Sequence, residues 1–277
     1  MKLKYIIPVL VFAALLSGCS KKTKTAQTPQ AGSGTRVVVN QLPIKDRPFT
    51  VMVPHESNRL FVFYTENADK AKTATLDLEY QSGDLLKGAR ATLDTPIPNP
   101  FVKAIILGSC STGGKCTFDT DLKSGTMKFG LNIPGEDATH ILKGDFTFVI
   151  GQNNLPDGKV IFTPSKASSK TNLILSNSFG LPLSLEGETI LYPIIISSVN
   201  SSNITGSLKI NQSDVTSAVI YDGKSYQPLK FTTEDSSLIF TLNHKPWSKE
   251  VTIVRDDQKG AQETDTLYVV GPIVLLK

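Results

Sequence analysis

Two cysteines with five residues between them, three scattered histidines and two short acidic runs are the internal side chains of this 277-residue chain whose types and spacing could do chemistry. The cysteines lie in Leu107-Gly108-Ser109-Cys110-Ser111-Thr112-Gly113-Gly114-Lys115-Cys116. Such a pair can close a disulfide, cycle as a redox dithiol or supply half of a zinc site. Tetrahedral zinc wants four ligands, and no histidine lies nearby in sequence. Cys-x5-Cys also lacks the helix N-terminus that lowers a thiol pKa. A three-residue turn over Thr112, Gly113 and Gly114 sets Cys110 opposite Cys116 at cross-strand distance, with Gly114 free to take the left-handed conformation. A structural disulfide is therefore the favoured reading, with the redox and metal readings behind it.

His55, His140 and His244 fit no His-x3-His or His-Glu-x2-His pattern, and their polar flanks predict surface or turn positions. No Gly-x-Ser-x-Gly elbow is present, so a Ser-His-Asp triad would have to be assembled by the fold alone. Asp119-Thr120-Asp121 begins like a calcium loop. Lys123 stands where the fifth-position ligand is needed and Gly130 where the terminal Glu is needed, so a turn with solvated acids is expected. Asp256-Asp257 reads as part of a hairpin loop. Trp247 reads as a rim anchor of a sandwich. Neither an enzymatic activity nor a cofactor is expected from these residues.

The third cysteine is of another kind. Lys2 and Lys4 precede the apolar stretch Tyr5 to Leu16, which is broken only by Pro8. A hydrocarbon core needs about 20 apolar residues, so this stretch is too short to span one and fits a secretory signal. Leu16-Ser17-Gly18-Cys19 then resembles the bacterial lipobox. The resemblance implies a signal peptide over 1–18, cleavage before Cys19, and acylation of Cys19. Ser20 in place of Asp implies the outer membrane where the cell has one, and otherwise the outer face of the cell membrane. Residues 19–35 hold the cysteine and a Lys-, Thr-, Gln-, Ser- and Gly-rich run that cannot bury enough apolar area to fold. Such a linker has an r.m.s. reach of roughly 20–25 Å.

The formal net charge is +4, and loss of Lys2 and Lys4 leaves +2, which the linker's Lys21, Lys22 and Lys24 more than supply. The remainder is close to neutral and lacks the clustered basic face of a nucleic-acid binder. Membrane lipid, through acylated Cys19, is the expected partner. An envelope protein or polysaccharide is the further one.

The elements that must position these residues read as strands throughout. Short apolar alternation recurs with turn punctuation every 8–12 residues. Leu76, Leu78 and Tyr80 alternate with Asp77 and Glu79, and Phe146, Phe148 and Ile150 with Thr147 and Val149, which predicts one buried and one wet face each. The expected fold class is all-β: two β-sandwich domains of immunoglobulin-like or jelly-roll-like type, over 36–165 and 170–277. The run PSKASSK (Pro164–Lys170) would join them. Asn200, Asn203 and Asn211 read as turn and strand-edge residues.

LGSCSTGGKCTFDTDLKSGTMKF, with LDLEYQSGD and GARATLD upstream, resembles a family of uncharacterised secreted or membrane-anchored bacterial proteins that carry a Leu-Gly-Ser-Cys-Ser-x-Gly-Lys-Cys hairpin. The likeness covers roughly Thr73 to Ile150, with Met127 where the family has Leu. It implies a surface location and transfers no catalytic residue. LDLEYQSGDLL is also similar in pattern to cohesin-type sandwiches.

Three functions compete on this reading. The first is a structural or interaction lipoprotein of the envelope, serving adhesion or assembly. The second is a carbohydrate- or small-ligand-binding lipoprotein whose aromatic platform draws on Tyr192, Tyr221, Tyr226, Tyr268, Phe231 and Trp247. The third is a hydrolase with a dispersed site.

Overall fold

The computed structural model describes residues 36–55, 59–93, 95–111, 114–150, 153–166, 172–189 and 191–277. Cys19, the signal segment and the linker lie outside the described residues. Those described are all-β. The strands are β1 (Arg36–Val39), β2 (Phe49–His55), β3 (Leu60–Glu66), β4 (Thr73–Ser82), β5 (Leu85–Leu93), β6 (Phe101–Ile106), β7 (Gly108–Cys110), β8 (Cys116–Phe118), β9 (Leu122–Asn132) and β10 (Ala138–Phe148). They continue with β11 (Val160–Pro164), β12 (Leu173–Asn177), β13 (Ile194–Ser198), β14 (Ile204–Asn211), β15 (Ser217–Tyr221), β16 (Tyr226–Pro228), β17 (Thr232–Glu234), β18 (Ser237–His244), β19 (Trp247–Arg255) and β20 (Ala261–Leu276).

Eleven of these form one large sheet along the path β16-β15-β20-β13-β12-β10-β9-β4-β5, with β1 beside β10 and β19 beside β20. Smaller sheets, β2-β3-β6 and β11-β14-β18-β17, pack upon it, and β7-β8 is a separate hairpin. The result is an all-β sandwich built in antiparallel pairs, β1–β10 excepted.

Alternation sets the faces of β4 as expected. Leu76, Leu78 and Tyr80 are buried, while Asp77 and Glu79 carry ion pairs to Arg90 and Lys128 on the outer face. The end of β10 differs. Thr147 and Val149 are buried along with Phe146 and Phe148. Phe146 and Phe148 enter one core and Val149 a second, so both faces are covered.

The first core lies between β4, β9 and β10 (Leu76, Phe129, Phe146) and one face of the three-stranded sheet (Met52, Phe61, Phe63, Ile105). The second lies between β12, β13, β15 and β20 (Leu175, Ile196, Ile220, Ile273) and the four-stranded sheet (Phe162, Leu208, Phe240). A third joins the opposite face of β2-β3 (Val51, Val53, Leu60, Val62) to Ile195, Ile253, Leu267 and Val269. The runs FTVMV and LFVFY are thus apolar at nearly every position because both faces are covered.

Two domains divided near 165–170 were the expectation, and the sheet runs across that point. Phe146 to Phe148 of β10 pair with Ile174 to Ser176 of β12. β11, counted with the first half, pairs with β14 of the second. Residues 36–277 form one compact unit. The physical reason is the third core, together with hydroxyl bonds along the edge of β2 that faces away from β3. The Thr50 amide donates to Ser178 Oγ at 3.1 Å, the Phe179 amide to Thr50 Oγ1 at 3.1 Å, and Ser197 Oγ to the Met52 carbonyl at 2.5 Å. A buried strand edge must satisfy its backbone groups, and here residues over a hundred positions away in sequence do it.

Leu60 and Phe61 face opposite sides of β3. Leu60→Ala should cost about 2–5 kcal/mol and Phe61→Ala about 3–5 kcal/mol. In urea unfolding both should lower the midpoint of one shared transition; two separable transitions would show independent halves.

Candidate interaction face at the disulfide hairpin

At one end of β2-β3-β6 the chain leaves β6, and Leu107 donates its amide to the Arg59 carbonyl at 2.7 Å. β7 and β8 follow as a hairpin in which Gly108 pairs with Phe118, Ser109 with Thr117 and Cys110 with Cys116. The cysteines are bridged, with Cα atoms 4.0 Å apart. Gly114 has φ +80°, as the turn requires. Gly108 has φ +148°, and a Cβ there would lie 2.2 Å from the Thr117 carbonyl, so the hairpin's base needs glycine. Closing so short a loop contributes about 2–2.5 kcal/mol on the chain-entropy model, enough to hold the tip without holding the body.

The hairpin is braced on two sides. The Arg59 guanidinium lies 5.0 Å from the centroid of the Phe118 ring. Asp119, just beyond β8, accepts a 2.6 Å hydrogen bond from the Tyr80 hydroxyl and pairs with Lys87 Nζ at 3.4 Å. Burial and this carboxylate hold the Tyr80 phenol above its ordinary pKa. Asp119 is thus part of the framework, not a solvated turn residue. Beside it, Ser82 donates to the Thr120 carbonyl and Lys123 Nζ to the Gly83 carbonyl. These bonds fix the β4–β5 turn, where Leu85 and Leu86 are 62% and 75% exposed.

Behind the hairpin lies a charged cluster whose members no local pattern brings together. Arg255, at the end of β19, is 1% exposed. Its Nε and Nη2 donate to the two oxygens of Asp257 at 2.8 Å each, and Nη1 donates to Glu263 Oε1 at 3.0 Å. His55, at the end of β2, places Nδ1 2.8 Å from Asp265 Oδ2 and Nε2 3.2 Å from Glu263 Oε1 and 3.4 Å from Arg255 Nη1. A buried guanidinium is tolerated because a bidentate carboxylate matches its planar fork. The hydrogen bonds from Arg255, followed by its charge, hold the Asp257 carboxyl below its usual range. The cluster clamps the end of β2 to the β19–β20 hairpin.

The expectation that all three histidines sit at the surface or in turns is corrected by these positions. His140 is 8% exposed and pairs with Glu136 at 2.5 Å, while His55 and His244 are half-buried. His140 lies within the large sheet between Val38 of β1 and Leu131 of β9, and His55 and His244 end β2 and β18. The six aromatics divide. Tyr192 lies under the Arg47 guanidinium, Phe231 packs on Phe240, Tyr221 meets both Tyr226 and Trp247, and Tyr268 is half-buried on β20 between Ser198 and Ser248. Trp247 is a rim anchor, packed against the third core with its indole N–H donating to the Gly271 carbonyl at 2.7 Å. Among the described residues no group of three or more His, Cys, Asp or Glu side chains is arranged to hold a metal ion. No helix among them is long and apolar enough to cross a membrane.

No protein-family model matches the chain, and no curated protein or solved structure is significantly similar to it. The functional reading therefore rests on geometry and sequence pattern. At this end of the molecule the structure places a stapled hairpin, an apolar turn tip and a charged cluster.

Arg255→Ala strands several carboxylates and should cost about 3–5 kcal/mol. Asp257 has a depressed folded-state pKa, so its contribution is complete above the ordinary carboxyl value of about 3.9 and is lost as pH falls through the depressed one. Asp257→Asn should lower stability at neutral pH and flatten the acid limb of a urea-midpoint profile; an unchanged profile would contradict the pairing.

Proposed function

We propose that this chain is a membrane-anchored envelope lipoprotein working as an interaction module. Acyl chains on Cys19 would hold it at the membrane, and the hairpin end would meet an envelope protein or polysaccharide. One acyl chain holds a protein marginally and two or three hold it stably, which is why the lipobox matters to the reading.

The observation that carries the proposal is the placement of two ends. β1 begins at Arg36, where the expected linker stops, and lies beside Ala138 to Ile141 of β10. That is the end of the sheet where Thr73 of β4 faces Asn132 of β9. Leu85, Leu86 and the disulfide hairpin lie at the other end of β4. Ten residues of extended strand separate them, about 30 Å. The braced hairpin and the apolar tip thus lie at the end of the sheet opposite Arg36. The family likeness of the hairpin sequence agrees with a surface location. No enzymatic step belongs to this proposal.

Labelled fatty acid should enter the wild-type protein in cells and fail to enter Cys19→Ala, which should leave the membrane fraction; equal labelling of both would refute the anchor. A photo-cross-linking residue at Leu86 should form adducts with envelope components in intact cells, and one at Thr92, exposed at the far end of β5, should not. Equal adducts from both positions, or none from Leu86, would refute the contact face.

A further inference from the structure

A second surface lies away from the hairpin, beside Phe49 at the start of β2, whose ring is 6.5 Å from that of Trp247. Here the β15–β16 hairpin, the turn between β18 and β19, and the middle of β20 enclose a recess of about 190 Å³. Ile220, Val269 and Val270 give it an apolar lining. Tyr221 and Trp247 wall it, with centroids 5.9 Å apart and planes at 81°. We propose that this recess binds a single pyranose ring, either a free sugar or the end of a glycan.

Volume sets the first limit. Sites for drug-sized ligands occupy roughly 300–1,000 Å³, so this recess takes one ring and no more. The walls set the second. Trp247 is locked, because its N–H is bound to the Gly271 carbonyl and its Cβ sits where Gly223 leaves room. A Cβ on Gly223, at φ +96°, would lie 2.7 Å from it. With its N–H occupied, the indole offers carbon surface, which suits the C–H face of a sugar.

The rim sets the third limit. Asp222, Gln227, His244 and Lys245 stand around the opening. Asp222 is oriented by its own turn, accepting from the amides of Lys224 and Ser225 at 2.9 Å each. The Gln227 amide nitrogen donates to Asp222 Oδ2 at 3.2 Å and to Ser225 Oγ at 2.8 Å, which fixes the direction of its carbonyl oxygen. Burial lowers the pKa of His244, so its ring is neutral at pH 7 and offers hydrogen bonds without charge. A strongly anionic ligand would meet Asp222 and a strongly cationic one Lys245. A neutral polyol with one apolar face uses every group present.

The chain's single tryptophan makes the test direct. In the full chain, held in detergent, Trp247 emission is followed while methyl glucoside, methyl galactoside, N-acetylglucosamine or mannose is titrated into the millimolar range, with acyclic sorbitol as control. At least one pyranose should give a saturable change that sorbitol does not. Gln227→Ala and His244→Ala should each weaken it by about tenfold, the loss of one hydrogen bond, with the unfolding midpoint little changed. No saturable response to any of these pyranoses, an equal response to sorbitol, or an unaltered response in both variants would overturn the proposal. Because the readout uses neither the anchor nor the hairpin, its failure leaves the interaction reading standing, and the reverse holds.

Discussion

The structure depends on one constraint: β2 and β3 have no wet face. Phe61 and Phe63 point into one core and Leu60 and Val62 into another, so neither strand can exist without both neighbours. Burial of that kind also removes water from the far edge of β2, where no strand pairs through a ladder. Thr50, Ser178 and Ser197 supply the missing hydrogen bonds, all from buried positions. Each is a short hydroxyl that reaches a backbone group without leaving a charge in the interior. The β2 edge is thereby protected from pairing with another chain, a hazard that open edges carry.

This weld positions the proposed contact surface. At the end of β2, His55 enters the Arg255 cluster, so the hairpin from β7 to β8 stands on a base tied to both halves of the chain. The disulfide then needs to stiffen a short tip only. Loops placed by a rigid scaffold are where recognition concentrates. The Tyr221–Trp247 recess stands on the same weld, since Trp247 packs against the third core. Two surfaces at different ends of one body can thus be held in fixed relation.

Much of the fold was legible because period-two alternation and turn chemistry are local. Leu76, Leu78 and Tyr80 marked a half-buried strand, and the Thr-Gly-Gly turn set Cys110 against Cys116. What escaped was long-range. An apolar run such as LFVFY says that both faces are covered and does not say by what. The alternation read at Phe146 and Phe148 does not extend back to Ala138, where β10 begins, because Lys143 and Gly144 interrupt the apolar pattern. Gly144 sits close against the core: a Cβ would come within 3.2 Å of Phe179 and Met127 side-chain carbons. PSKASSK looked like an interdomain linker, yet composition cannot report that β10 and β12 pair across it. Arg255 looked like any strand-end cation, and its burial depends on carboxylates from a turn and from β20. The exposure of Leu85 and Leu86 was not legible either, since an apolar tip follows from where the hairpin ends.

Native-state hydrogen exchange on β3 and β13 tests the weld most directly. The amides of Phe61 to Tyr64 and of Ile195 to Ser197 belong to opposite halves of the chain, on strands that meet in the third core through Val62, Tyr64 and Ile195. If that core makes one cooperative body, both sets should exchange through the same global opening, with equal free energies and equal dependence on denaturant. Exchange of the β13 amides through a separate opening of lower free energy, with β3 still protected, would contradict it.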